Sequence, residues 1–258
     1  MENKPSLRDG KTPRPILEMK GICKYFGGVH ALENVDFELY PNEILALVGD
    51  NGAGKSTLIK IISGVYTADR GEIYLQGKRI KIQSPSNARA LGIETVYQEL
   101  ALVETRDVVA NFFLGREPTK GKWGIFVDKR KMEESTVGTL EKLSITLPSL
   151  RTAVRYLSGG QRQALAVGRA AAWGRKIIIM DKPTAALGVE ESRKVLGLVK
   201  QLKEHGASII IISHNLRHVF SVAERIIVLR GGRRVGSKLK SETTGDGIVK
   251  LITGAELI

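Results

Sequence analysis

The sequence predicts an α/β fold with an inserted helical subdomain, on three observations. Apolar strand-like runs alternate with helical runs in a βαβ rhythm near the start of the chain and again towards its end. Between them, from Leu100 to about Arg155, the apolar pattern turns helical. In PNEILALVGDNGAGKSTLIKIISG a glycine turn joins a buried apolar strand directly to a helix. With 258 residues, 42% hydrophobic and 26% charged, the chain is long enough to bury a sizeable core and lies outside the disordered range.

Residues 1–15, with three prolines and scattered charges, read as a flexible tail, so structure begins near Ile16. ILEMKGICKYF and ALENVDFELY are short and strand-like, and GEIYLQGKRIKI reads as a hairpin. SPSNARALG reads as a short helix, with Ser84 as cap, Pro85 in the first turn and Gly92 as stop. A strand follows around ETVYQ. The loop GREPTKGKWG breaks the helical stretch through its glycines and proline. RKIIIMDKP is a buried strand, ESRKVLGLVKQLKEHG a helix and ASIIIISH another strand. RIIVLRGG and RRVGSKL close the strand series before a short helix in GIVKLITG.

Charge and composition exclude several classes. The apolar runs fall far short of the ~20 residues that cross a bilayer, the N-terminus has no secretory pattern, and the single Cys23 cannot form an internal disulfide. A reducing cytosol is the expected compartment. Lys and Arg exceed Asp and Glu to give +13, which suits a polyanion or an anionic inner leaflet. The basic residues are spread along the chain and only 5% of residues are aromatic, which argues against nucleic acid as a partner.

The chemistry is concentrated in motifs. Gly49, Asp50, Asn51, Gly52, Ala53, Gly54, Lys55 and Ser56 match G-x-x-x-x-G-K-[ST], placed between an apolar strand and a helix as a phosphate loop requires. Glycines let the backbone wrap phosphates with N–H groups inward, and the helix adds its positive end. Lys55 then reaches the β- and γ-phosphates, Ser56 offers a hydroxyl to Mg²⁺, and Thr57 adds a phosphate contact. Further on, Leu157, Ser158, Gly159, Gly160 and Gln161 open a second helix whose N-terminus carries a serine cap and bare glycine N–H groups. Two phosphate elements so far apart point to two nucleotides or to two chains sharing the work. His214 and His218 have the spacing of a zinc pair, but Asn215 stands where H-E-x-x-H needs glutamate.

The phosphate loop, Gln98 in VYQEL, LSGGQ, an apolar strand ending in Asp181, and His214 in IIISHN occur in the order and spacing of an ABC transporter ATPase. The resemblance runs from Ile16 almost to the end. In GGVHALENVDFELYPNEILALVGDNGAGKST, GIETVYQELAL and LSGGQRQALAVGRAAA the chain looks most like the ATPase subunits of bacterial simple-sugar importers, particularly the single-domain fructose and ribose type. It implies a P-loop NTPase core of the ABC ATPase type over residues 16–258, with an antiparallel β subdomain and a helical subdomain at about 99–170. It implies ATP and Mg²⁺ as ligands. Phe26, with Tyr25 as the neighbouring alternative, would stack on adenine; Gln98 would touch Mg²⁺ and the attacking water; Asp181 would hold Mg²⁺ through water; His214 would contact the γ-phosphate.

Two positions depart from the family. Lys182 stands where a glutamate polarises the attacking water, and Gly188 where many members carry aspartate. A lysine pKa near 10.4 would have to fall by roughly three units to serve as a base at pH 7, and anionic phosphate pushes the other way. The expectation is a slow site that still binds ATP; the three explanations are a natural degenerate site paired with a competent partner chain, an introduced substitution that traps the bound state, and a substitute carboxylate such as Glu99. The resemblance implies a head-to-tail dimer with a second ATPase subunit, transmembrane permease subunits, an indirect extracytoplasmic sugar-binding protein, and the cytoplasmic face of the plasma membrane. Two rivals remain: a nucleotide-gated regulatory subunit, kept alive by Lys182, and a soluble ABC ATPase acting on nucleic acid. The latter lacks the coiled-coil arms or second cassette it would need.

Overall fold

The computed structural model describes residues 14–120, 126–174 and 176–255. Most of the tail expected at 1–15 lies outside them. β1 (Leu17–Phe26) and β2 (Val29–Leu39) pair antiparallel, with Leu17 opposite Leu39 and Phe26 opposite Val29. β3 (Ile44–Val48) runs through the glycine turn into α1 (Lys55–Ile62). β4 (Arg70–Leu75) and β5 (Lys78–Ile80) make the expected hairpin, followed by α2 (Pro85–Ala90) and β6 (Ile93–Val96). Ser84 caps α2 by accepting the Asn87 N–H, and Gly92 at φ +84 ends it.

The inserted segment is less helical than its periodicity suggests. It holds α3 (Val108–Phe112), the two-residue strands β7 (Thr119–Lys120) and β8 (Phe126–Val127), and α4 (Lys129–Lys142). Leu100–Arg106 forms no helix; instead the buried Asn111 side chain bonds the backbone of Val103, Arg106 and Asp107, giving that stretch side-chain partners in place of helical ones. Part of the GREPTKGKWG loop, 121–124, lies outside the described residues. Then come α5 (Gly159–Trp173), β9 (Ile177–Asp181), α6 (Val189–Glu204), β10 (Ser208–Ile212), α7 (Leu216–Val222), β11 (Arg225–Arg230), β12 (Arg233–Leu239) and α8 (Gly245–Thr253).

Two sheets carry the architecture. One is antiparallel, in the order β2-β1-β4-β5; the other runs β12-β11-β3-β10-β9-β6, parallel throughout except at its β12 edge. Successive side chains on a strand point to opposite faces, and the core divides accordingly. Ile44, Ala46 and Val48 of β3, with Ile209 and Ile211 of β10, pack on the side of α5 and α6. Leu45, Leu47, Ile210 and Ile212 pack on the other side against α1 and the antiparallel sheet. Arg225 of β11 forms a buried ion pair with Glu43, which precedes β3 in the same sheet, its Nε and Nη2 donating at 2.7 and 2.9 Å, and its Nη2 ties that sheet to the antiparallel one by donating to the Glu38 carbonyl of β2 at 2.7 Å.

Candidate nucleotide site

β3 is buried along its length, so the chain leaving Val48 must turn at once to begin α1. Gly49 makes that turn at φ +147, where a Cβ would stand 2.1 Å from the Leu229 carbonyl oxygen. Gly54 caps α1 at φ +98, where a Cβ would stand 2.7 Å from the Ala31 oxygen. No other residue meets both demands. Inside the loop the Lys55 ammonium donates to the carbonyls of Gly49 at 2.7 Å and Asp50 at 2.6 Å. Burial, and then the neighbouring Lys182, push its pKa down. Asn51, Gly52 and Ser56 are exposed at the rim, Thr57 is half-buried and Ala53 is buried.

The parallel register brings the other candidates to the same place. Ile212 lies opposite both Leu47 and Asp181, and Met180 lies opposite Val96, so β3, β10, β9 and β6 end level. Gly49–Lys55, His214, Lys182 and Gln98 leave those strands on one edge, the carboxyl edge where open α/β sheets take ligands. Among the described residues the buried Asp181 Oδ1 has no hydrogen-bond partner. Burial pushes this carboxyl up, while Lys182, Lys55 and Lys60 pull it down. An oxygen left without a donor, with the Ser56 hydroxyl on the adjacent loop, is an oxygen-only donor set of the kind Mg²⁺ prefers. Lys182 sits at φ +48, donates its N–H to Ile212 O at 2.9 Å and accepts from Ala185 N–H at 3.0 Å. His214 is exposed, and His218 Nδ1 lies 2.9 Å from Thr184 Oγ1, joining α7 to the turn after Lys182.

LSGGQ lies elsewhere. Leu157 is buried, Ser158 caps α5 by accepting the Gln161 N–H at 3.2 Å, and Gln161 returns the bond to Ser158 N–H at 2.9 Å. Among the described residues no hydrogen bond joins 157–161 to the phosphate loop. Glu191 reaches across from α6 instead, accepting from Ser158 Oγ at 3.2 Å, Gly160 N–H at 3.3 Å and Gly188 N–H at 3.4 Å. Those N–H groups hold its carboxyl below the usual range. Sequence reasoning missed this contact; a glutamate three residues after Gly188 signals only the bond to the Gly188 N–H, and nothing local signals those to Ser158 and Gly160, 33 and 31 residues away. Gln98 and Glu99 line a groove of about 540 Å³ with Arg162, Gln163 and Leu187. Of the two aromatic candidates Phe26 is the open one, 42% exposed, whereas the Tyr25 ring packs on His30 with centroids 4.7 Å apart.

The family model described as ABC transporter matches residues 32–185. The chain belongs to the ABC transporter family. It is 51% identical over 247 residues to the fructose import ATP-binding protein FrcA of Rhizobium meliloti, covering 94% of this chain and 95% of that protein. It is 47% identical over 242 residues to the xylose/arabinose import ATP-binding protein XylG of Sulfolobus acidocaldarius, covering 94% and 95%. The solved structure of the cassette MJ0796, a dimer in a post-hydrolysis state bound to ADP and Pi, matches with a TM-score of 0.73 at 25% identity, over 87% of this chain and 98% of that one. The fold is therefore that of an ABC ATPase, and the chain is an ABC-type ATPase that binds nucleotide. Among the described residues no helix is long and apolar enough to cross a membrane.

Proposed function

We propose that this chain is the ATP-binding and hydrolysing subunit that powers import of a sugar through a membrane permease, with hydrolysis slowed by Lys182. The observation that carries the proposal is the common edge of β3, β6, β9 and β10, where a phosphate loop, Gln98, Asp181 and His214 converge. The names of the fructose and xylose/arabinose relatives support the sugar branch.

In this reading the N–H groups of Gly49–Thr57 wrap the β- and γ-phosphates, and Lys55 exchanges its two carbonyl partners for phosphate oxygens. Adenine stacks on Phe26. Ser56, Asp181 and Gln98 would hold Mg²⁺, which supplies positive charge against the phosphate oxygens. A second cassette brings the α5 N-terminus, with Ser158, Gly159 and Gly160, against the γ-phosphate, and His214 contacts it from the first chain. Attack of water on the γ-phosphorus breaks the bond to ADP and requires a proton to leave the water. The Lys182 ammonium holds phosphate charge but cannot accept that proton, so the rate falls by on the order of 10²- to 10⁴-fold. The groove at Gln98 and Glu99 faces the permease, the chain works at the cytoplasmic face of the plasma membrane, and the sugar-binding protein acts through the permease.

Lys182 also favours a second reading, a nucleotide-gated subunit that never hydrolyses. Phosphate release by the purified chain and by Lys182→Glu, with and without the permease, tests both. Turnover that rises with Lys182→Glu and again with permease supports the proposal; turnover that stays at background in every arm leaves the regulatory reading.

A further inference from the structure

Phosphate chemistry does not account for the residues gathered around Phe26. This ring ends β1, and Tyr66 meets it edge-on, with centroids 5.1 Å apart and planes at 67°. The Lys24 ammonium lies over it, 5.5 Å from the centroid. Asp69 holds that ammonium, its Oδ1 accepting from Lys24 Nζ at 2.8 Å, while its Oδ2 accepts the Tyr25 N–H at 2.6 Å. The Asp69 N–H donates in turn to the Cys23 carbonyl at 2.9 Å. On the far side Lys60 of α1, the helix that opens at the phosphate loop, lies 5.2 Å from the Tyr66 ring centroid.

A single carboxylate thus anchors both the backbone next to Phe26 and the cation over its ring. An exposed phenylalanine at a strand end is otherwise free to change rotamer, and a ligand that stacks on it must first order it. The ammonium sits against the electron-rich face and the Tyr66 edge limits rotation, so the ring is fixed before a ligand arrives. We propose that Asp69 is a positioning residue for the nucleotide base, acting through the Tyr25 N–H and Lys24 to hold Phe26 in its stacking orientation. The proposal rests on the assignment of Phe26 to the base. Among the described residues no hydrogen bond or ion pair joins Asp69 to the phosphate loop; its partners are Lys24, Tyr25 and Cys23.

The test is calorimetric titration of the full chain with MgATP and, separately, with magnesium tripolyphosphate, which has the phosphates and no base. Phe26→Ala is expected to weaken MgATP about tenfold, the scale of one lost base–aromatic stack. Asp69→Ala is expected to weaken it about threefold, and the double variant no more than Phe26→Ala alone, because the two act as one unit. Tripolyphosphate affinity stays within about twofold of the parent throughout, since the loop is untouched. Asp69→Asn, which keeps an acceptor for Tyr25 and gives up the ion pair, serves where the alanine variant does not fold. Three results overturn the proposal: MgATP affinity unchanged in the Asp69 variants while Phe26→Ala weakens it, equal losses for MgATP and tripolyphosphate, or independent addition in the double variant. MgATP affinity unchanged in Phe26→Ala removes the base assignment itself, and the proposal with it.

Discussion

Lys182 shows how much one side chain weighs at a phosphate site. Its ammonium lies close enough to Lys55 to add to burial in lowering the Lys55 pKa. Lys182→Glu is expected to raise turnover by on the order of 10²- to 10⁴-fold by restoring a proton acceptor. A variant that hydrolyses no faster than the parent would remove position 182 from the chemistry. Lys182 is legible in the sequence because a strand of four apolar residues ending in Asp181 fixes its frame. Asp69 is not legible, because its partner Lys24 lies 45 residues away and no local pattern joins them.

At the scale of elements, the caps were the most readable features. Ser84 and Ser158 each cap the helix that their motifs announce. Ser158→Ala removes the acceptor for the Gln161 N–H and is expected to cost about 1 kcal/mol of stability, a fall in Tm of roughly 2–4 °C. Glu191 adds a pH-dependent contribution. Its folded pKa is depressed, so the stability it contributes is present above the ordinary carboxyl pKa and is lost as pH falls through the lower folded value. Glu191→Gln should therefore be less stable than the parent at neutral pH, and urea titrations should show the difference fading below about pH 4. A gap of constant size across that range would exclude the carboxylate as its source. What stayed unreadable were short elements without a full period of their own. α7 spans seven residues and was not foreseen, and β7 and β8 pair only two residues each. Tertiary partners, such as Asn111 for the chain before α3, decide these stretches more than propensity does.

For the whole molecule, the βαβ rhythm announced the parallel sheet, but the buried ion pair at the start of β3 and β11 had no sequence signal. Glu43 and Arg225 are 7% and 3% exposed and lie 182 residues apart in sequence. Glu43→Ala leaves a buried guanidinium without its carboxylate and should cost about 3–5 kcal/mol in urea unfolding, whereas removing both partners should cost less. A double-variant loss equal to the sum of the two single losses would mean that the pair contributes nothing as a pair. The level ends of the four parallel strands place the motifs of one half-site together, while the α5 N-terminus shares no hydrogen bond with them among the described residues. In the proposed cycle that N-terminus is brought to the phosphates by a second copy.

The lysine bonds inside the glycine turn bear on how nucleotide first arrives. With its ammonium already donating to two carbonyls, the turn is shaped by an internal placeholder and has no coil to organise when a guest comes. Occupancy then amounts to trading one set of polar contacts for another. Titrations run at several temperatures should accordingly give an enthalpy nearly flat with temperature, unlike the steep slope that accompanies coupled folding.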